Sequence, residues 1–309
     1  MTNHTQTMTI ETLLIPTDGS DPAEAAARRG FDLAAQCNAA VHVLSVADSS
    51  IATGAGYSGD SQSIRNRLRE QATARATALR DDATERGLEA TATTREGIPS
   101  KEIVDYADEH AMDAIAIGTS GRGGVTRAVV GSVADKVVRT ASVPVVTINP
   151  EAASETAEAL TIDSILLPTD GSDTAEAVIQ YGFDLATQLD ATVHLLSVID
   201  SDRVQMLSAL TDTDADIVAE LRERATDALD ERAAEARAHD IDAVTTIRDG
   251  VPAEKIVDYA DTEGIDLIAM GTAGRGGFER FIVGSVTDDV VRTATVPVVT
   301  MRPNETDSD

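Results

Sequence analysis

Short apolar runs alternate with longer amphipathic segments along the whole chain. The runs have the length of strands and the longer segments have helical composition, so the pattern predicts strands and helices in alternation. In the first half the predicted strands are residues 10–16, 41–46, 88–95, 113–117 and 143–148, and the predicted helices are residues 21–37, 63–86, 99–110 and 132–140. This alternation predicts a five-stranded parallel sheet with helices on both faces, which is a doubly wound, Rossmann-like α/β domain.

The second half of the chain repeats the first. TLLIPTDGSD at residues 12–21 returns as SILLPTDGSD at residues 164–173, and IVDYAD begins at Ile103 and again at Ile256. With 309 residues, the chain is long enough for two domains that each bury a core. We therefore expect two repeated domains. Their predicted bounds are residues 1–149 and 161–303, with a linker at 150–160 and a disordered acidic tail at 304–309.

Composition narrows the range of partners. The formal net charge is −28, and such a surface repels nucleic acids and anionic membranes, so neither is expected as a partner. Abundant acids with few lysines resemble proteins of salt-loving organisms, so we expect a halophilic protein. Cys37 is the only cysteine, and the sequence shows no signal peptide and no apolar run of about 20 residues. These features lead us to expect a protein of the cytoplasm.

A glycine-rich motif follows the fourth predicted strand of each half. Residues 118–132 read GTSGRGGVTRAVVGS and residues 271–285 read GTAGRGGFERFIVGS, with the same glycine spacing. Such a loop lets backbone N–H groups approach a phosphate, and the helix behind it adds the positive end of its dipole. One glycine loop is often only a turn, but two copies, each paired with a Pro-Thr-Asp loop, favour nucleotide binding. The lysine of a P-loop and the Gly-x-Gly-x-x-Gly spacing of a dinucleotide site are absent from both motifs.

The Pro-Thr-Asp loop and the glycine motif of each half are expected to meet. In doubly wound sheets, ligands bind at the carboxyl ends of the strands where the winding reverses, which is between the first and fourth strands if the first lies at the centre. Asp18 can there accept from a ribose hydroxyl or hold Mg²⁺ through water, and Ser132 can face an oxyanion. Arg122 and Arg275 are candidates for the cation that binds the phosphates.

These motifs, together with a second strand that ends in Val shortly before Asp, resemble the universal stress protein family over both halves. The resemblance implies an ATP-binding stress sensor or signalling protein with weak or no hydrolysis, and a pseudo-dimer whose domains pair through residues 143–148 and 296–301. It also implies the nucleotide contacts. In the first half these are Pro16, Thr17, Asp18, Val46, Gly118, Gly121, Gly131, Ser132 and Val133, and in the second half Pro168, Thr169, Asp170, Val198, Gly271, Gly274, Gly284, Ser285 and Val286.

Two other functions stay open. One is slow ATP hydrolysis or phosphoryl transfer, with Ser132 or Ser285 as acceptor, although the sequence suggests no catalytic residue. The other is an interaction module that binds no nucleotide. AMP or another adenine nucleotide can also take the place of ATP, with or without Mg²⁺, and a homo-oligomer is a further alternative.

Some of these residues also have structural interpretations. Asp18 could cap the helix that follows, but Ser20 or Asp21 suits that role, which leaves Asp18 for the site. His42 and His194 occupy matching strand positions without neighbouring cysteines or acids. We therefore expect packed strand histidines there and no metal site.

Overall fold

A computed structural model describes residues 8–48, 61–120, 130–153, 159–200, 214–272 and 283–302. The described residues divide into two compact units. The first unit runs from Ile10 to Thr161, and the second contains the residues from Ile162 onward together with Met8 and Thr9. Within the second unit, the backbone N–H of Met8 donates to Asp184 Oδ2 at 2.9 Å.

Both units contain the predicted alternation of strands and helices, with each bound of the first unit within two residues of its prediction. In the first unit the elements are β1 Thr12–Thr17, α1 Asp21–Cys37, β2 Ala40–Asp48, α2 Ser61–Glu85, β3 Ala90–Gly97, α3 Pro99–Glu109, β4 Ala114–Gly118, α4 Ser132–Thr140 and β5 Val145–Ile148. In the second unit they are β6 Ser164–Thr169, α5 Asp173–Leu189, β7 Thr192–Ile199, α6 Asp214–Ala238, β8 Ala243–Asp249, α7 Pro252–Glu263, β9 Leu267–Gly271, α8 Ser285–Thr293 and β10 Val298–Met301.

All strand pairs within a unit are parallel, and the strand order reverses beside the first strand. The order is β3-β2-β1-β4-β5 in the first unit and β8-β7-β6-β9-β10 in the second. This order confirms the predicted doubly wound fold. It places the first strand of each unit at the centre, where the chain winds to one side through β2 and β3 and then crosses to β4.

Helices cover both faces of each sheet, which explains why the central strands are apolar without alternation. Leu13, Leu14 and Ile15 are at most 1% exposed, although neighbouring side chains point to opposite faces. On one face, Gly30 of α1 lies against Ile15, and on the other, Tyr106 of α3 contacts His42. Among the described residues, no helix is both long and apolar enough to cross a membrane.

Candidate functional site

The crevice between β1 and β4 opens at the carboxyl edge of the sheet. Pairing of β1 with β2 continues to Thr17 and Ser45, whereas the register of β1 with β4 joins Leu13 to Ala114 and Leu14 to Ile115. In the second unit, β6 likewise pairs with β7 as far as Thr169 and with β9 at Ile165 and Leu166. Thus the loops after β1 and β4 leave the same edge, at the point where the winding reverses, as predicted.

The loop after β1 holds the carboxylate of Asp18 in place. Asp18 Oδ1 accepts hydrogen bonds from the N–H of Ser20 at 3.0 Å and from its hydroxyl at 2.6 Å. The hydroxyl of Thr17 accepts from the N–H of Gly19 at 3.0 Å, and Gly19 has a φ of +72°, which suits glycine. Ser20 is the N-cap of α1, since its Oγ accepts from the N–H of Ala23 at 3.4 Å. Asp18 is therefore not the helix cap. It accepts hydrogen bonds from Ser20, which is the cap.

The second unit contains the same loop, 152 residues further along the sequence. Asp170 Oδ1 accepts from the N–H of Ser172 at 3.0 Å, and the hydroxyl of Thr169 accepts from the N–H of Gly171 at 3.0 Å. Ser172 caps α5 by accepting from the N–H of Ala175 at 3.3 Å. One difference is exposure: Asp18 is half-buried, whereas Asp170 is exposed.

Both ends of the glycine motif are held together. The N–H of Gly131 donates to the carbonyl of Thr119 at 2.6 Å, and the N–H of Thr119 donates to Ile148 at 3.0 Å. A Cβ at position 131 would lie 3.1 Å from that Thr119 oxygen, a tight contact that favours glycine here. In the second unit the N–H of Gly284 donates to Thr272 at 2.6 Å in the same way. The two described ends of each motif are therefore joined to each other directly after β4 or β9.

Helix α4 begins directly after this anchor. Gly131 is its N-cap and has no side chain to offer, so no side-chain cap satisfies the backbone N–H groups of the first turn. Ser132 is exposed at the start of the helix, and Val133 is half-buried. Ser285 has the same position in α8. A helix start of this kind favours an anion.

Most predicted site residues lie at this carboxyl edge. Those at the edge are Pro16, Thr17, Asp18, Val46, Gly118, Gly131, Ser132 and Val133 in the first unit, and Pro168, Thr169, Asp170, Val198, Gly271, Gly284, Ser285 and Val286 in the second. Gly121, Arg122, Gly274 and Arg275 lie outside the described residues. The two arginines predicted to bind phosphate therefore stay a prediction.

Sequence reasoning missed one cation at this edge. Arg75, in the middle of α2, is half-buried, and its side chain lies against Gly19. A Cβ built on Gly19 would be 2.5 Å from Arg75 Cδ and 2.9 Å from Nε. The contact joins residues far apart in sequence on a charged helix, so no local spacing could have indicated it.

The two strand histidines pack against tyrosines. His42 Nδ1 lies 2.9 Å from the hydroxyl of Tyr106, whose ring stacks on His110 at 3.9 Å between centroids. Burial lowers the pKa of His42, and the neighbouring His110 lowers it further. His194 makes the matching 2.9 Å contact with Tyr259. Among the described residues, no group of three or more histidine, cysteine or acidic side chains could hold a metal ion.

Cys37 lies in the last turn of α1 and is 8% exposed. Burial raises the pKa of its thiol to about 12. The thiol is therefore protonated at neutral pH, as suits a packed side chain and not a nucleophile.

Comparison with known proteins agrees with this architecture. Residues 9–149 and 161–302 each match the universal stress protein family. Universal stress protein MJ0531 of Methanocaldococcus jannaschii is 33% identical over 139 residues, which cover 45% of this chain and 81% of that protein. Universal stress protein Rv2005c of Mycobacterium tuberculosis is 29% identical over 210 residues, 66% of each chain. The crystal structure of a universal stress protein from Archaeoglobus fulgidus has the same fold, with a TM-score of 0.72 at 20% identity over 96% of this chain and 99% of that one. The chain thus belongs to the universal stress protein family, of which it carries two domains in tandem.

Proposed function

We propose that this stress protein binds ATP, or a related adenine nucleotide, once in each unit and acts as a sensor or signalling protein. The observation that carries the proposal is that two loops of defined geometry leave the same edge of the sheet, at the point where the strand order reverses. In the first unit these are the Asp18 loop, held by Ser20, and the glycine motif, whose ends are joined by the hydrogen bond from Gly131 to Thr119. The same pair recurs in the second unit at Asp170 and Gly284.

Each loop suits a different part of a nucleotide. The carboxylate of Asp18, fixed by Ser20, would accept a hydrogen bond from a ribose hydroxyl or hold Mg²⁺ through water. The first-turn N–H groups of α4 and the hydroxyl of Ser132 would bind phosphate oxygens. Pro16 and Val46, on adjacent strands, would contact the adenine ring.

The domain arrangement is part of the same proposal. Residues 1–149 and 161–303 would act as two nucleotide domains joined by residues 150–160. They would pair inside the chain through residues 143–148 and 296–301, because pairing would cover two strands that each end the order of their unit. A partner protein would then detect whether the paired domains hold nucleotide.

Released nucleotide tests the proposal directly. The purified protein is denatured after equilibration with ATP and Mg²⁺ in high salt, and the nucleotide is separated and counted per chain. We expect about two ATP per chain, one for each site. One universal stress protein has been solved in complex with cAMP, so cAMP and AMP are offered in parallel.

Single-site variants assign the nucleotides. Asp18→Ala and Asp170→Ala should each remove one nucleotide, and the double variant should remove both. Asp21→Ala is the matched control, because Asp21 is an exposed acid of the same loop and helix start. No bound nucleotide in the wild type would refute the proposal, and recovery of ADP with free phosphate would favour the enzymatic alternative.

A further inference from the structure

The two candidate sites share their carboxylate loops but differ in the charge of one residue on the helix beside each loop. Arg75 lies on Gly19, the residue directly after Asp18. Its Cγ, Cδ and Nε lie closest to Gly19, so the stem of the side chain lies over the loop after β1, and its Nη2 donates to Gln71 Oε1 at 3.5 Å. In a chain with a net charge of −28, a cation at this position matters for any anionic ligand.

The equivalent of Arg75 in the second unit can be identified from contacts. Arg69 of α2 pairs with Glu96 at 3.2 Å, and Arg222 of α6 pairs with Asp249 at 2.7 Å. Arg222 lies 153 residues after Arg69, and Asp249 lies 153 residues after Glu96. Helices α2 and α6 also have the same length of 25 residues. At this offset the residue equivalent to Arg75 is Ala228.

The loop beside Arg75 is also less exposed to solvent than the matching loop of the second unit. Beside Arg75, Thr17 is 7% exposed and Asp18 is half-buried. In the second unit, Thr169 is half-buried and Asp170 is exposed. A charge beside the first site therefore acts through a less hydrated environment than the same charge would at the second.

We infer that Arg75 makes the first site prefer phosphorylated nucleotides, and that Ala228 leaves the second site weaker and less selective. This inference rests on the proposed nucleotide binding. The physical reason is the charge balance: Asp18 suits a ribose hydroxyl but repels a polyphosphate, and the guanidinium of Arg75 offsets that repulsion. Asp170 has no arginine at the matching position of its helix.

The test compares ATP with adenosine, which lacks phosphate. Titration calorimetry is done with the full chain carrying Asp170→Ala and Ser285→Ala, so that the first site alone is measured. We expect Arg75→Ala to weaken ATP binding about tenfold while adenosine binding changes less than about twofold. Arg75→Lys should keep most of the ATP affinity. High salt should reduce the difference between Arg75 and Ala, because it screens the charge.

Two further variants control the result. Arg69→Ala removes an equal charge from the same helix, at a position that both units share, and should leave the ATP to adenosine ratio unchanged. Ala228→Arg, in a chain with Asp18→Ala and Ser132→Ala, should raise the preference of the second site for ATP. Thermal unfolding without ligand checks that each variant is folded.

The outcomes separate the two hypotheses. If Arg75→Ala weakens ATP and adenosine equally, or weakens neither, the inference is wrong while nucleotide binding stands. If the wild type binds neither ligand at either site, the proposed function fails and the inference fails with it. Loss of the ATP preference in Arg75→Ala, with rescue by lysine, supports both.

Discussion

Helices α1 and α5 contact the central strands through a glycine, and the two contacts differ in tightness. A Cβ at Gly182 would lie 2.4 Å from Leu167 Cδ2, 2.7 Å from Cδ1 and 3.1 Å from Cγ. At Gly30, a Cβ would lie 2.9 Å from Ile15 Cδ1 and 3.2 Å from Ala116 Cβ. Leu167 is 0% exposed and Ile15 is 1% exposed, so neither side chain can turn into solvent, and the closer contact is the one at Gly182. We therefore predict that Gly182→Ala destabilises the second unit and that Gly30→Ala affects the first unit less.

Two opposing effects set the change in the free energy of unfolding of each variant. Overpacking of a buried side chain costs about 1–3 kcal/mol. Alanine in place of a helical glycine returns up to about 1 kcal/mol. For Gly182→Ala we expect a net loss of about 1–2 kcal/mol in the free energy of unfolding, because three atoms of Leu167 must move. For Gly30→Ala only the terminal methyl of Ile15 lies closer than 3.0 Å, so a smaller shift is needed and the expected net change is roughly zero to 1 kcal/mol.

Hydrogen–deuterium exchange reports each unit separately. Peptides from β6 should exchange faster in Gly182→Ala, while peptides from β1 serve as an internal reference. Leu167→Ala completes a double-mutant cycle: alone it should cost about 2–5 kcal/mol, and in the Gly182→Ala background at least about 1 kcal/mol less. A neutral or stabilising Gly182→Ala, or strictly additive effects of the two changes, would refute the steric argument.

Four further predictions concern the first unit. Ser20→Ala removes the N-cap of α1 and should cost about 1 kcal/mol of unfolding free energy in a denaturant titration, whereas an unchanged midpoint would contradict the cap. Tyr106→Phe keeps the ring but deletes the hydroxyl beside His42, so we expect a loss of about 1–2 kcal/mol by the same measurement. Because burial holds the pKa of His42 below its ordinary value of 6.5, the unfolded chain binds that proton first, and the unit should lose stability as the pH falls below 6.5. His110→Glu should raise the pKa of His42 in an NMR titration, since it replaces a neighbour that lowers this pKa with an acid, and an unmoved titration would refute this.

The sequence predicted most of the fold, because local chemistry marks its elements. The β1 run ends at a Pro-Thr-Asp-Gly loop, and α4 begins at Gly-Ser, so both bounds depend on residues close in the chain. Strand β3 was predicted two residues early, since its register is set by pairing Val41 with Ala90 and Asp48 with Gly97 and not by its weak alternation.

The candidate site was predicted only where the chain itself repeats a motif. Asp18 and the glycine motif could be found because each stands in a loop that occurs twice. Arg75 could not, because its position beside Gly19 depends on how α2 packs over the sheet, and only one repeat carries it. Contacts between distant elements leave no spacing pattern in the sequence.

The buried thiol of Cys37 makes the rate of cysteine labelling a measure of how often the first unit opens. The thiolate of a cysteine attacks a disulfide reagent and expels one of its sulfurs as a thiolate, and with a pKa of about 12 the folded first unit offers almost no thiolate. Labelling must therefore wait for that unit to open. The second unit has Leu189 at the matching position, so its opening leads to no labelling in the same experiment. If ATP slows the labelling of the unmodified protein, nucleotide has bound to the first unit, and the change in rate measures how strongly.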